Sequence, residues 1–60
     1  MQNNAQLAAF MLREAADFFS TLAAPNREMA ATMQRMASVY RTMATVLETD
    51  PLGPVPEALA

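Results

Sequence analysis

The sequence predicts an all-α protein: an antiparallel helical hairpin that dimerises into a four-helix bundle. Three observations predict this class. Alanine and methionine are abundant, whereas glycine occurs once, and this composition favours helices over sheets. Two long stretches carry apolar residues at helical spacing, with a short proline-containing break between them. No alternation of apolar and polar residues supports a strand.

The length of the chain predicts self-association. Sixty residues without cysteine or histidine form one small domain that neither a disulfide nor a zinc–thiolate site stabilises. Chains of this size bury a small core, and association with further chains is the remaining ordinary route to stability. We therefore expect a homodimer or a higher homo-oligomer.

Helix 1 is predicted over residues 5–23, after a polar lead at residues 1–4. Asn3 or Asn4 caps its first turn, since a short amide side chain accepts from a free backbone N–H. The apolar residues cover half of the helical cylinder, so this helix should contact at least two others. Phe10 falls on the polar half. It is either a singly exposed aromatic or a contact at an oligomer edge or with the C-terminal tail.

Residues 24–26 predict the turn between the helices. Helix 1 should end by Ala24, because the residue before a proline avoids helical backbone angles. Asn26 is then expected to cap helix 2, predicted over residues 27–49, with Glu28 in its first turn. A connection this short makes the two helices antiparallel neighbours.

Helix 2 carries the clearest pattern in the chain. Its large apolar residues are spaced alternately four and three apart, the spacing of a helix that packs along its length. Ala30, Ala37 and Ala44 recur on one side of this seam, and Val39 and Val46 lie on the other. One side should face helix 1 and the other a second chain, and the pattern leaves the choice open. The seam consists of Met29, Met33, Met36, Tyr40, Met43 and Leu47.

A proline-rich tail is predicted over residues 50–60. The Asp50–Pro51 pair ends helix 2, and further prolines surround Gly53, which favours extended, locally polyproline-like backbone. Two alternatives stand for this segment. It is either a frayed terminus, or it lies back along a groove or docks on a partner through Leu52, Val55 and Leu59.

No pattern in the sequence predicts catalysis or a cofactor. Glu14 and Asp17 have a spacing that could hold a divalent cation, but they share the polar face with Arg13, which favours a solvated surface. The helix 2 methionines could ligate a soft metal, serve as core filler, or form an adaptable groove for a partner. Neither histidine, lysine nor cysteine is present to activate a hydroxyl. We expect neither a metal nor a catalytic site.

Nucleic acid and membranes are disfavoured as partners. The net charge is −2, whereas nucleic-acid surfaces are basic, and Arg27, Arg35 and Arg41 scatter over more than a quarter of the helix circumference. No apolar run reaches the length of a membrane span, about 20 residues. With no secretory signal pattern at the N-terminus, the cytoplasm is the default location.

The sequence therefore predicts a small non-enzymatic, self-associating interaction module, acting as an adaptor, regulator or assembly subunit. The alternative is a nucleic-acid-binding regulator that uses the helix 2 arginines. Its partners are expected to be further copies of itself, and a second protein could bind the tail. The predicted interface residues are Phe10, Met11, Phe18, Phe19, Met33, Met36, Val39, Tyr40, Met43, Val46 and Leu47.

Overall fold

The protein folds into two antiparallel α-helices that pack against each other, as seen in a computed structural model that describes residues 3–57. Helix α1 spans Asn4–Ala23 and helix α2 spans Ala30–Thr49. No strand occurs within the described range. The predicted all-α hairpin is thus confirmed. The sequence-based expectations for residues 1–2 and 58–60, Leu59 among them, lie outside the described residues.

Helix α1 begins with the predicted asparagine cap. The Asn3 side-chain oxygen accepts from the backbone N–H of Gln6 at 2.9 Å, which satisfies one of the amides that a helix leaves unpaired in its first turn. The helix starts at Asn4, one residue before the predicted start. It ends at Ala23, within the predicted limit of Ala24. The reason given for that limit is wrong, because Ala24 itself keeps helical backbone angles before Pro25, with φ −56° and ψ −48°.

The prediction that Asn26 caps helix 2 is wrong. Its side-chain NH₂ instead donates to the carbonyl of Leu22 at 2.8 Å, so Asn26 closes the end of α1. An asparagine amide carries both donors and an acceptor, and the last turn of a helix leaves free carbonyls that its donors can satisfy. Residues 27–29 form turns, and α2 begins only at Ala30, without a side-chain cap. Glu28 therefore precedes α2 and does not lie in its first turn.

Alanines form the contact between the two helices. Three of them recur every seven residues in α1 and two in α2, so each set lies along one line of its helix. Because an alanine side chain is a single methyl group, the two backbones can approach closely. The structure thereby settles the choice that the sequence left open: the alanine side of α2 faces α1. The fully or almost fully buried residues are Ala9, Ala16, Ala23, Ala37 and Ala44.

The chain turns sharply after α2. The backbone N–H of Gly53 donates to the carbonyl of Asp50 at 3.1 Å, which closes a four-residue turn with Pro51 at its second position. A side chain at position 53 would overlap the Asp50 carboxylate, so glycine suits this position. Beyond the turn, residues 53–56 border a cleft together with Met43, Val46 and Leu47 of α2.

Candidate interaction surface

Ion pairs bridge the two helices on one side of the hairpin, called here the polar side. Arg13 pairs with Glu48 at 2.8 Å between Nη1 and Oε1, and Arg41 pairs with Asp17 at 3.0 Å between Nη2 and Oδ1. All four side chains remain substantially exposed to water. Exposed pairs of this kind contribute at most about 1 kcal/mol each. They fix which side of the hairpin is polar more than they stabilise it.

Further hydrogen bonds extend the polar side toward the loop. Arg41 donates to the Ser20 hydroxyl at 3.3 Å, and that hydroxyl donates to the Gln34 side-chain oxygen at 3.4 Å. Arg13 also donates to the Thr45 hydroxyl at 3.4 Å. These side chains satisfy one another within the chain, so the polar side leaves few groups that need a protein partner.

Aromatic rings meet across the helices on the opposite side. The rings of Phe19 and Tyr40 are in edge-to-face contact, with centroids 5.4 Å apart and an interplanar angle of 84°. Phe18 packs edge-on against Phe19, with centroids 6.2 Å apart. Such geometry is favourable for aromatic pairs. The contact between Phe19 and Tyr40 shows that the apolar rows of α1 and α2 lie on the same side of the hairpin.

These rows together form one continuous surface, called here the apolar face. Not one of its large side chains is buried: Phe18 is 61% exposed, Met11 59% and Met29 49%, and the others are partly exposed. A large exposed apolar patch typically marks an interaction site. The apolar face consists of Met11, Phe18, Phe19 and Leu22 from α1 and Met29, Met33, Met36, Tyr40, Met43 and Leu47 from α2.

The structure places ten of the eleven predicted interface residues on this face or along its outer edges. Met11 and Phe18 each follow a buried alanine of α1 by two residues, and Val39 and Val46 each follow a buried alanine of α2 by two residues, so the two pairs form the two outer edges of the face. Tail residues 51 and 53–56 line the same cleft as Val46. Phe10 lies elsewhere. It precedes Arg13 by three residues and Asp17 by seven, so it shares the helix face that forms the polar side, where it is 45% exposed.

The alanine column of α1 was missed by the sequence reasoning, although its signal is present. Ala9, Ala16 and Ala23 repeat the seven-residue spacing noted in helix 2. Matching columns of small residues on both predicted helices indicate the contact between them, since two close-packed helices both need small side chains there. With the alanine columns placed between the helices, the large apolar residues beside them could have been assigned to the face that the neighbouring helix leaves exposed.

The arginines do not form a joint strip. Arg41 is engaged by Asp17, while Arg27 lies in the turn before α2 and Arg35 on the exposed surface of α2. A phosphate-binding surface needs several cations that converge on one path. Nothing in this arrangement favours the nucleic-acid hypothesis.

The carboxylates likewise do not converge on a metal site. Asp17 accepts from Arg41, and Glu14 is exposed. Among residues 3–57, no group of three or more potential acidic, cysteine or histidine ligands comes together. The polar side therefore offers charged pairs and not a ligand cage.

The C-terminal segment borders two depressions beside the apolar face. One is a small cleft of about 140 Å³ between Met43, Val46 and Leu47 of α2 and residues 51 and 53–56. The other is an open groove where Ala5 and Ala8 of α1 meet Leu47 and Leu52. Leu52 is 97% exposed. Both depressions are predominantly apolar and lie at the end of the hairpin opposite the loop.

Comparison with known proteins assigns no family to this chain. No protein-family model matches it, and searches of curated proteins and of solved structures found no match. Within the part of the chain that the structure describes, neither helix is long and apolar enough to cross a bilayer.

Proposed function

We propose that the chain is a non-enzymatic, self-associating interaction module whose apolar face is covered by a second copy. One observation carries this proposal. Within residues 3–57, the buried side chains are all alanines, and the phenylalanines, methionines, leucines and tyrosine remain wholly or partly exposed. A hairpin on its own thus leaves most of its large apolar side chains in contact with water.

The arrangement of layers supports the same proposal. Domains generally consist of two or more layers of secondary structure around a shared core. This hairpin is a single flat layer of two helices, with extents of 37 × 26 × 11 Å, and only one side of it is apolar. A second layer laid on that side gives the four-helix bundle, with the large side chains as its core and the ion pairs on its outside.

The size of the face suits a second copy of this chain. The flat side of the hairpin measures 37 × 26 Å, and a stable specific interface buries about 800 Å² of surface per partner. A twofold dimer uses the same patch on both copies. Methionine, leucine and phenylalanine side chains can pack against a copy of themselves, because they carry no charge that would be buried unpaired.

Sedimentation equilibrium at micromolar concentration tests the proposal directly, with two matched variants. Met36→Asp places a carboxylate on the apolar face, and Ser38→Asp places one on the polar side of the same helix, two residues away. We expect the unmodified chain and the Ser38→Asp variant to sediment as dimers or larger assemblies. Met36→Asp should be monomeric and largely unfolded. The proposal would be overturned if the unmodified chain sedimented as a compact monomer.

A further inference from the structure

On the apolar side of the hairpin, α1 contributes a row of small side chains. Asp17 directly follows the buried Ala16 and lies on the polar side, where it forms an ion pair. Successive residues of an α-helix are about 100° apart, so Ala15, directly before Ala16, points to the opposite, apolar side. Ala8 precedes the buried Ala9 in the same way. Both side chains remain partly exposed, and they are called here the alanine row.

The equivalent positions of α2 carry large side chains. Thr45 directly follows the buried Ala44 and accepts a hydrogen bond on the polar side. Met43, directly before Ala44, therefore points to the apolar side, and Met36 precedes the buried Ala37 in the same way. These two partly exposed side chains are called here the methionine row. The apolar side thus presents small residues on α1 where it presents large ones on α2.

A contact across the hairpin shows which residues of the two helices lie at the same level. Asp17 lies beside Arg41, and the helices run in opposite directions. Ala15 lies two residues before Asp17 and Met43 two residues after Arg41, so Ala15 and Met43 are level with each other. A small residue of one helix and a large residue of the other therefore occur at the same height along the hairpin.

The two outer edges of the apolar face match in the same way. Counted from the contact between Asp17 and Arg41, Phe18 lies within one residue of the level of Val39, and Met11 within one residue of the level of Val46. All of these edge side chains are at least partly exposed in the single chain. Each edge thus presents apolar side chains at the heights where the other edge presents them.

Two face-to-face arrangements have twofold symmetry. If the axis is parallel to the helices, both loops lie at the same end, α1 of each copy lies on α2 of the other, and residues keep their levels. If the axis is perpendicular to the helices, the loops lie at opposite ends, and each helix lies on its own copy. In both cases the same patch is used on both chains.

The alanine and methionine rows favour loops at the same end. In that arrangement, each of the two helix contacts between the copies joins an alanine row to a methionine row, with Ala15 against the partner's Met43. With loops at opposite ends, one contact joins two alanine rows and the other joins two methionine rows. These contacts require different interaxial distances, because the side chains at a contact set its spacing. Two flat hairpins laid parallel do not meet both distances at once, and the resulting gap costs packing contacts.

Exposed charges have less influence on the arrangement than packing. Loops at the same end bring Asp50 and Glu57 of the two copies to one end of the dimer. Loops at opposite ends instead bring the two Glu14 side chains together, because Glu14 lies at the middle of α1. All three carboxylates are exposed, and interactions between exposed charges are weak and screened by salt. The fit of the rows therefore determines the arrangement.

We infer that the second copy lies on the apolar face with its loop at the same end, so that α2 of each copy packs its methionine row against the alanine row on α1 of the other. This inference rests on the proposed self-association and specifies which helices meet. It also pairs the outer edges, because Phe18 then lies beside the partner's Val39 and Met11 beside the partner's Val46. The exposed side chains of both edges become covered together.

Spin labels at the two ends of the hairpin measure the arrangement without disturbing the face. The chain has no cysteine, so Arg27→Cys labels only the loop. Leu52→Cys labels only the opposite end, at a side chain that is 97% exposed. In a dimer of either labelled variant, the distance between the two like labels should fall well below the 37 Å length of the hairpin. In a mixture of the two variants, unlike labels should lie about that length apart.

The outcome of the label measurement separates this inference from the proposed function. A chain that sediments as a compact monomer and gives no distance between labels removes both. A dimer in which like labels lie about one hairpin length apart, while unlike labels are close, keeps the self-association and overturns the inference.

An exchange of one small and one large residue tests the contact between the rows. Ala15→Met should overpack a homodimer and Met43→Ala should leave cavities in one, so each variant alone should raise the dissociation constant about tenfold or more. In a heterodimer of the two variants, each contact again joins one methionine to one alanine. Because the total volume is restored, this heterodimer should bind about as tightly as the unmodified chain.

The matched control mixes Met43→Ala with Ala31→Met, which adds the same side chain at an exposed position on the polar side of α2. This mixture should show no recovery, because the added methionine does not reach the cavities. If the heterodimer of Ala15→Met with Met43→Ala were no tighter than the control mixture, α1 would not lie on α2 of the other copy and the inference would be overturned.

Discussion

Two phenylalanines of α1 provide an internal comparison for the interaction surface. Phe18 is 61% exposed on the apolar face, and Phe10 is 45% exposed on the polar side. In a monomer both side chains are largely exposed to water, so replacing either with alanine should have a small effect. In the proposed dimer only Phe18 becomes covered.

The magnitude follows from the area that association covers. Fully burying a phenylalanine side chain contributes about 1.5–3 kcal/mol. Covering the exposed part of Phe18 is then worth about 1–2 kcal/mol in each copy, or about 2–4 kcal/mol in a dimer. Since about 1.4 kcal/mol corresponds to a factor of ten, Phe18→Ala should raise the dissociation constant roughly 30- to 1,000-fold.

The assay is a dilution series followed by sedimentation or by mass-resolved size exclusion. Phe10→Ala should change the dissociation constant by about fivefold at most, because an isolated surface substitution changes stability by about 0.5 kcal/mol in each copy. Equal losses in the two variants would refute the assignment of the apolar face. The absence of any loss in Phe18→Ala would show that Phe18 is not covered in the assembly.

Three further predictions concern the hairpin itself. Ala16→Leu should lower the free energy of unfolding by about 1–3 kcal/mol or more, because the alanine contact has no room for a larger side chain; in a denaturant titration, the exposed control Ala31→Leu should match the unmodified chain. Asn3→Ala should reduce stability by about 1 kcal/mol through loss of the cap on α1, and an unchanged denaturation midpoint would contradict that role. Arg13→Ala should lower the free energy of unfolding by at most about 1 kcal/mol, as expected for an exposed ion pair. A double-mutant cycle with Glu48→Ala isolates the coupling energy between the two side chains. A larger coupling energy would mean that the polar side becomes buried in the assembly.

The helices and their ends could be predicted because local rules govern them. Asparagine before an apolar run specifies the start of α1 through its side-chain acceptor, and Asp50 before Pro51 leaves the helical region at the end of α2. Asn26 shows the limit of such rules. It lies between two helix ends that both need capping, and the sequence does not say whether its acceptor or its donors will be used.

The face of each helix was harder to assign than the helix itself. In α2, small and branched residues both flank the methionine seam, so periodicity alone allowed either side to meet α1. Which side of α2 meets α1 depends on how closely the two helix backbones can approach, and that is a property of both helices together. Phe10 was included among the interface residues as a possible contact at an oligomer edge or with the tail, although the sequence already placed it on the polar half of helix 1; the structure leaves it there, 45% exposed.

Thermal unfolding followed by circular dichroism over a roughly hundredfold range of chain concentration tests the central claim most directly, because association that accompanies folding makes the melting temperature depend on concentration. We predict that the midpoint rises steadily with concentration and that helicity falls at the lowest concentrations. A cooperative transition at the same temperature throughout, from a compact single chain, would contradict the claim that the apolar face requires a second copy.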